Sequence, residues 1–547
     1  MACLPFFDCN CMIGTRKVRH PASPERLQDY LDDFAYYDIA AAVAYHANAV
    51  EYSQDYGNRK LLDEIGDDPR LVPQWVVLPH HTGEMPPAPK LVDEMLSLGV
   101  RSARLYPDSH GTGVSAEVCG PLLEELQAHR IPLFIDYGEL DIPQAAELAR
   151  RYPLLPIVLC GLSWHSDRLL FGYLEGAPNL HIDTWSYQNH RGYEAFVSRL
   201  GSGRLLFGTN LPYRSPGAAR MMTCYEDISE DDRRGIAGLN LLRILRQVDA
   251  AGRPLPALEA PPGHPDDDVI VAAVRAGRPL RDEFVLDCHN HLGHPGAHGI
   301  DLCSLPHNDA DGLIGTMDRL GVDIACPSSW AGITYAGRDA NDHTLDAAAR
   351  YPGRLLPYGC LNPSYPELFE SEFQRLFVGE RVMGYKPAPF RQEVPLTDPI
   401  HFPVYDWATR HGAPVLCGDG PLRLAEINEL APRYPTVPFI NAHSGSNYAF
   451  AAETVRTGLK YPNVYAEITY TLIWYGMIEY LVEGLGAERV LFGTDCVMRD
   501  AAPQLGWVAW ARIPLQAKRR ILGHNFADVL NLPAHQRTPT SSRNSDG

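Results

Sequence analysis

The stretch FFDCNCMIG at residues 6–14 aligns without a gap on VLDCHNHLG at residues 285–293, so Asp8 meets Asp287, Cys9 meets Cys288 and Gly14 meets Gly293. Four further matches follow in the same order. YDIAAAV (37–43) meets VDIACPS (322–328), and PRLVP (69–73) meets GRLLP (353–357). RYPLLPIVL (151–159) meets RYPTVPFIN (433–441), and RLLFGTN (204–210) meets RVLFGTD (489–495). The offset grows only from 279 (8 to 287) to 285 (210 to 495) across a whole domain. That is a tandem duplication, and it limits the chain to two copies of one fold.

Within each copy, short apolar runs alternate with longer amphipathic stretches. In the second copy the runs lie near 285–290, 322–326, 354–359, 382–386, 414–417, 437–442, 463–468 and 489–493. The first copy has them near 5–9, 38–44, 71–77, 100–105, 131–136, 155–160, 179–184 and 204–208. Eight strands alternating with helices over about 250 residues predict an α/β chain of two tandem (β/α)₈ TIM-type barrels. A doubly wound open sheet is the alternative, but no glycine-rich phosphate loop follows either first strand. The expected divisions are a first barrel at 1–248, a Pro/Gly-rich linker with a short helix at 249–283, a second barrel at 284–534 and a disordered polar tail at 535–547.

A barrel of this kind builds its site at the C-terminal ends of its strands. In the second copy the first strand ends in His289-Asn290-His291, and alternation sends both histidines to the barrel mouth. The sixth strand ends FINAHSG, placing His443 there, and the eighth ends VLFGTD, placing Asp495. Two imidazoles and a carboxylate are a ligand set for a divalent ion, and His443 and Asp495 are the candidate proton acceptors. Lys386 (strand 4), Glu467 (strand 7) and Arg499 (after strand 8) are assigned to substrate, Arg499 as a clamp for a carboxylate. Trp330, Tyr335, Tyr385, Tyr470 and Trp474 are read as mouth aromatics suited to a flat substrate, with core packing as the other explanation. In the first copy Asn10, Met12, Gly161 and Asn210 stand opposite His289, His291, His443 and Asp495, while Asp136 takes the fifth-strand position. Parity puts Cys9 and Cys11 on the outer face, so that copy is read as having lost its metal chemistry.

DCHNHLG, AHSG, LFGTD and the closing ILGHNFADVLNL resemble the amidohydrolase superfamily, in its amidohydrolase-related (amidohydrolase 2) branch. The resemblance implies a metal-dependent enzyme acting on a small, aromatic or carboxylated molecule. It makes His289, His291 and Asp495 metal ligands of one divalent ion, expected to be Zn²⁺, and His443 the residue that orients or deprotonates the attacking water. One departure stands out. The branch usually ends strand 5 in a histidine ligand, whereas PVLCGDG (414–420) has Gly418 there and Asp419 one step beyond. Either Asp419 substitutes, or fewer groups hold the metal, or none binds. The leading expectation is hydrolysis of a small amide, ester or lactone. The alternatives are non-oxidative decarboxylation at the same site, and a non-catalytic or metal-free double barrel.

Composition narrows the partners. Acidic residues outnumber basic ones 67 to 48, for a net charge of −19, which disfavours nucleic acid. No run approaches the length of a membrane span, and the N-terminus lacks the plan of a signal peptide. The 12 cysteines, several inside apolar runs, are read as reduced residues of a cytoplasmic protein. Association into a homo-oligomer is left open.

Overall fold

The computed structural model describes residues 4–259, 264, 266–300, 303–335, 338–418, 420–469 and 472–539. They divide into two compact units, Met1–His264 and Pro265–Gly547. In the first, eight parallel strands pair in chain order: β1 (Phe6–Ile13), β2 (Ile39–His46), β3 (Leu71–Val76), β4 (Ser102–Arg104), β5 (Leu133–Asp136), β6 (Ile157–Cys160), β7 (Leu180–Asp183) and β8 (Leu205–Leu206). The ring closes where Cys9 N–H donates to the Phe207 carbonyl and Met12 N–H to that of Leu211.

The second unit repeats the plan with β9 (Leu286–Leu292), β10 (Ile324–Ser329), β11 (Tyr358–Gly359), β12 (Gly384–Tyr385), β13 (Val415–Cys417), β14 (Phe439–Asn441), β15 (Val464–Glu467) and β16 (Val490–Leu491). β9 pairs with β10, and β11 to β16 pair in order. An Ala325–Leu355 bridge joins the two sets, and Cys288 N–H to the Phe492 carbonyl closes the ring. Both units are (β/α)₈ barrels. The expected short helix is present at Val269–Arg275, capped by Asp268. No helix among the described residues is long and apolar enough to cross a membrane.

The duplication extends to details that packing imposes. Each closing helix contains a five-residue π turn, Gly235–Leu239 and Arg520–His524. A π turn leaves a carbonyl outside the regular helical ladder, and here Ile236 and Ile521 use theirs to accept from Phe207 and Phe492 just after the eighth strand. One turn later Asn240 and Asn525 donate to the carbonyls of Leu205 and Val490. Gly523 makes this docking close. A methyl group there would lie 2.7 Å from the Phe284 carbonyl oxygen and 3.1 Å from the Leu286 nitrogen, both backbone atoms. Gly523→Ala is therefore expected to destabilise the second unit toward the upper end of the about 1–3 kcal/mol typical of overpacking, read as a lower melting transition.

Two expectations need correction. Cys9 is not on the outer face. Phe7 and Cys9 pack with Val43, Phe134, Val158, Cys160 and Leu206, side chains of five strands that meet only inside the barrel. The register slips between Asp8 and Cys11, where three steps on β1 face two on β2, so alternation breaks there. Residues 535–539 do not form a loose tail either. Ala534–Gln536 make a single turn, and Arg537 reaches back to the Asp528 carboxylate and the Leu532 carbonyl. Residues 540–547 lie outside the described residues.

Candidate metal centre

The site starts from a kink in β9. Asp287 pairs with Ala325 and Asn290 with Pro327, so β9 carries one residue more than β10 over this stretch. Cys288 consequently joins the interior cluster with Leu286, Cys326, Ile440 and Leu491, while His289 and His291 turn toward the mouth. Asp287 fixes the kink. Its carboxylate accepts from the His289 and Thr494 amides and, at 2.5 Å, from the Thr494 hydroxyl. Asp8 and Thr209 repeat this clasp in the first barrel. Burial raises both carboxyls, Asp287 to about 7 and Asp8 to about 6.

His443 and Asp495 enter from left-handed residues, at φ 59° and 62°, and Asp495 N–H donates to the His289 carbonyl at 2.8 Å. Asp495 Oδ1 lies 3.0 Å from His291 Nε2 and 3.7 Å from His289 Nε2. One donor atom from each of the three residues lies within 4.8 Å of the others, all are buried, and no other such group occurs among the described residues. Each donor is held from behind. Glu467 Oε2 lies 3.1 Å from His289 Nδ1, which places the proton on Nδ1 and leaves Nε2 as the basic nitrogen. Ser328 Oγ is 2.8 Å from His291 Nδ1, and Trp330 stacks on the His291 ring at 4.6 Å. His443 Nδ1 donates to the Thr469 carbonyl at 2.6 Å, and its ring centroid stands 5.2 Å from that of His289.

Electrostatics suit a cation. Burial, then the Lys386 ammonium, lower His289 to about 4, and burial also lowers His291, so both rings are neutral at pH 7. Burial works against ionisation of Asp495, but Arg499 and the two histidines overcome it and hold the carboxylate far below its usual range. Asp495 Oδ2 is buried and accepts no hydrogen bond, its nearest cation being Arg499 Nη2 at 3.3 Å. Two neutral imidazoles and an anionic oxygen are a fitting donor set for a divalent ion.

The substrate assignments fare differently. Glu467 is not a mouth residue open to substrate. Its Oε2 faces His289 Nδ1 and the His443 amide, and its Oε1 accepts from the Thr469 amide and hydroxyl. Arg499 is buried against Asp495. Lys386 does reach the centre, its Nζ 2.9 Å from His289 Nε2. Of the aromatics, Trp330 lines the site. Tyr385 instead sits in the layer under the helices with Phe377 and Trp407, its hydroxyl bonded to His401. Tyr335 is exposed and bonded to Asp339, and Trp474 donates to the Ser446 carbonyl. Asp419 and Tyr470 lie outside the described residues. The clasp by Asp287 and Thr494 and the supports from Ser328 and Thr469 escaped the sequence reading. The repeated Asp8–Thr209 pair was the one signal for the clasp.

The family model described as amidohydrolase (Amidohydro_2) matches residues 15–247 and again 286–532. The chain belongs to the amidohydrolase family. Both of its barrels are amidohydrolase domains, and the one complete donor set among the described residues lies in the second. Solved structures similar to the chain include 5-carboxyvanillate decarboxylase from Sphingomonas paucimobilis, 15% identical over 46% of this chain and 99% of that one, with a TM-score of 0.38. Dihydroxybenzoic acid decarboxylase from Polaromonas sp. JS666, solved with manganese and 2-nitroresorcinol, is 16% identical over 46% and 99%, with a TM-score of 0.37. A 5-carboxyvanillate decarboxylase from Novosphingobium aromaticivorans, solved with manganese and a nitrobenzoic acid, is 15% identical over 46% and 97%, at 0.37. Comparison with curated proteins returns no match.

Proposed function

We propose that the second barrel of this amidohydrolase is a metal-dependent site for a small carboxylated molecule, and that its reaction is non-oxidative decarboxylation. The observation that carries the reading is the charge arrangement. Two neutral imidazoles and the anionic Asp495 carboxylate are bracketed by two cationic side chains, Lys386 and Arg499, and the carboxylate is kept ionised by the second of them. His289, His291 and Asp495 would hold the ion, zinc or manganese by donor type. When bound, such an ion supplies Lewis acidity toward the oxygens of a substrate acid.

The chain's own groups divide the remaining work. Glu467 and Ser328 fix the two ring orientations, so little reorganisation is left for the moment of reaction. Trp330 offers a flat apolar wall beside His291. Lys386 supplies an ammonium within reach of a substrate carboxylate, and His443 is the proton carrier at the sixth strand. Asp495, already ion-paired, is a weak proton acceptor, which disfavours a hydrolytic relay through it. Hydrolysis of an ester, lactone or amide remains the second reading, and His443 supports it. With Nδ1 given to Thr469, its Nε2 is the basic nitrogen.

The test is incubation of the full chain, loaded with Mn²⁺ or Zn²⁺, with hydroxybenzoic acids and, separately, with aryl esters and lactones. Release of CO₂ from the acids, lost in His291→Ala, is expected. Cleavage of the esters without any CO₂ release would overturn the decarboxylase reading in favour of hydrolysis. A pH expectation follows from the same geometry. Both ligating histidines are neutral above their lowered values, so metal content should persist from pH 7 to about 5. It should fall as the pH drops through about 4, read by elemental analysis after dialysis at each pH.

A further inference from the structure

The two barrels differ in charge where their first and eighth strands open into the mouth. Residues 15–20, after β1, read TRKVRH, and at the offset of 279 their counterparts 294–299 read HPGAHG. The copy without the donor set thus carries two arginines and a lysine there, in a chain whose net charge is −19. After the eighth strand a cation is kept while its anion is lost. At the offset of 285, Arg214 stands opposite Arg499 and Asn210 opposite Asp495. The local fold is the same, since each arginine donates its backbone N–H to the carbonyl four residues before it, at 3.3 Å in both barrels. Arg499 Nη2 lies 3.3 Å from the Asp495 carboxylate. In the first barrel an uncharged amide stands in that carboxylate's place.

Arg16 is the best held of the added cations. Its Nη1 donates to the Gly14 and Pro24 carbonyls and to the Tyr30 hydroxyl, at 3.3, 3.2 and 3.1 Å. One end anchors the guanidinium 5.6 Å over the Tyr213 ring, and it pairs with no carboxylate among the described residues. His20 meets the same ring edge-on at 6.0 Å, and Arg214, next in the chain, lies over Trp185 at 5.2 Å. Burial, then Arg16 and Arg214, hold His20 below its usual value, so both arginines act on one region. The acids around this mouth are engaged. Arg104 holds Asp136 at 2.7 Å, Arg19 holds Glu25 at 2.7 Å, and Glu51 accepts from the Lys17 amide at 2.6 Å. Arg16, His20, Tyr213 and Arg214 are each half-buried and keep part of their surface in solvent.

We propose that the mouth of the first barrel binds a small oxyanion, a carboxylate or a phosphate, on Arg16 within the field of Arg214. The bound anion supplies the negative charge that Asp495 supplies in the second barrel. A guanidinium fork matches either group, offering two N–H donors to two oxygens. The place is also the right one, because β1 and β8 close the ring beside each other and barrels take their ligands at this end. Like charges drawn together raise the free energy of the empty mouth, and an anion relieves it. Arg16 is anchored through Nη1 before any ligand arrives, so little side-chain freedom remains to be lost on binding. The site needs no metal and stands apart from the reaction of the second barrel.

The experiment is calorimetric titration of inorganic phosphate and, separately, of benzoate into the full chain at pH 7 and low salt. Wild type, Arg16→Gln, Asn210→Asp and His291→Ala are compared. Saturable binding of at least one probe is expected, and the probe that responds tells a phosphate site from a carboxylate site. Arg16→Gln should weaken that binding at least tenfold. Asn210→Asp restores the arrangement of the second barrel by placing a carboxylate in the chain four residues before Arg214, and it should weaken binding comparably. Aspartate sits at φ 62° at the equivalent position 495, so the backbone at φ 54° accepts it. His291→Ala should change nothing. If Arg16→Gln is poorly folded by circular dichroism, Asn210→Asp decides the matter. Absence of saturable heat with both probes overturns the proposal, as do affinities indifferent to Arg16→Gln and Asn210→Asp. Heat that disappears in His291→Ala and survives Arg16→Gln belongs to the second barrel and overturns it equally.

Discussion

Asp495→Asn is expected to lower kcat/KM on the order of 10³-fold or more and to reduce bound metal to a small fraction of an equivalent, while the chain stays folded. Asparagine keeps the size of aspartate and loses its charge, so the centre loses its one anionic donor. The fold survives for two reasons. Position 495 has φ 62°, a left-handed conformation that asparagine tolerates well, and Asn210 occupies the equivalent place of the first barrel at φ 54°. An amide oxygen at the Oδ1 position also still faces His291 Nε2. Elemental analysis, steady-state kinetics and near-ultraviolet circular dichroism together check this outcome. A variant with full metal content and wild-type turnover would remove Asp495 from the centre.

Arg104→Met is expected to act on stability instead. Arg104 is completely buried, and its guanidinium ties β1, β3 and β5 together through Asn10, Gln74 and Asp136. Breaking a buried pair by removing one partner costs about 3–5 kcal/mol. The Asp136 side chain is 36% exposed, so water recovers part of its charge and the lower end of that range applies. A calorimetric scan should show the transition of the first unit shifted down by many degrees. Metal content measured below that transition should be unchanged, because no ligand residue has been touched. The two variants are expected to separate an effect on metal and turnover in the second barrel from an effect on stability in the first.

Much of the architecture was written in the order of residues. Alternation of apolar runs with amphipathic stretches, twice over, is a local property of the chain. It predicted sixteen strands at positions the structure confirms, because hydrophobic period and strand length are set by neighbours in sequence. His289, His291 and Asp495 were legible for a similar reason. Each stands at the end of a strand, and a closed barrel brings such ends to one mouth.

What failed was whatever depended on neighbours from other strands. Strand parity misplaced Cys9, since the extra residue in β1 is a matter of register with β2 and leaves no mark in the sequence. Glu467 looked like a group waiting for substrate, yet the fold gives it His289 as a partner. Tyr385 looked like a mouth aromatic and packs under the helices instead.

The sequence alone therefore determined the twin barrels and which side chains, His289, His291 and Asp495, meet at the second barrel's mouth. Only the tertiary structure decided which charge faces which, because pairing energies depend on distances of a few ångströms between residues up to two hundred positions apart. It is there that Lys386 meets His289, and that Arg104 fills the corresponding place of the first barrel.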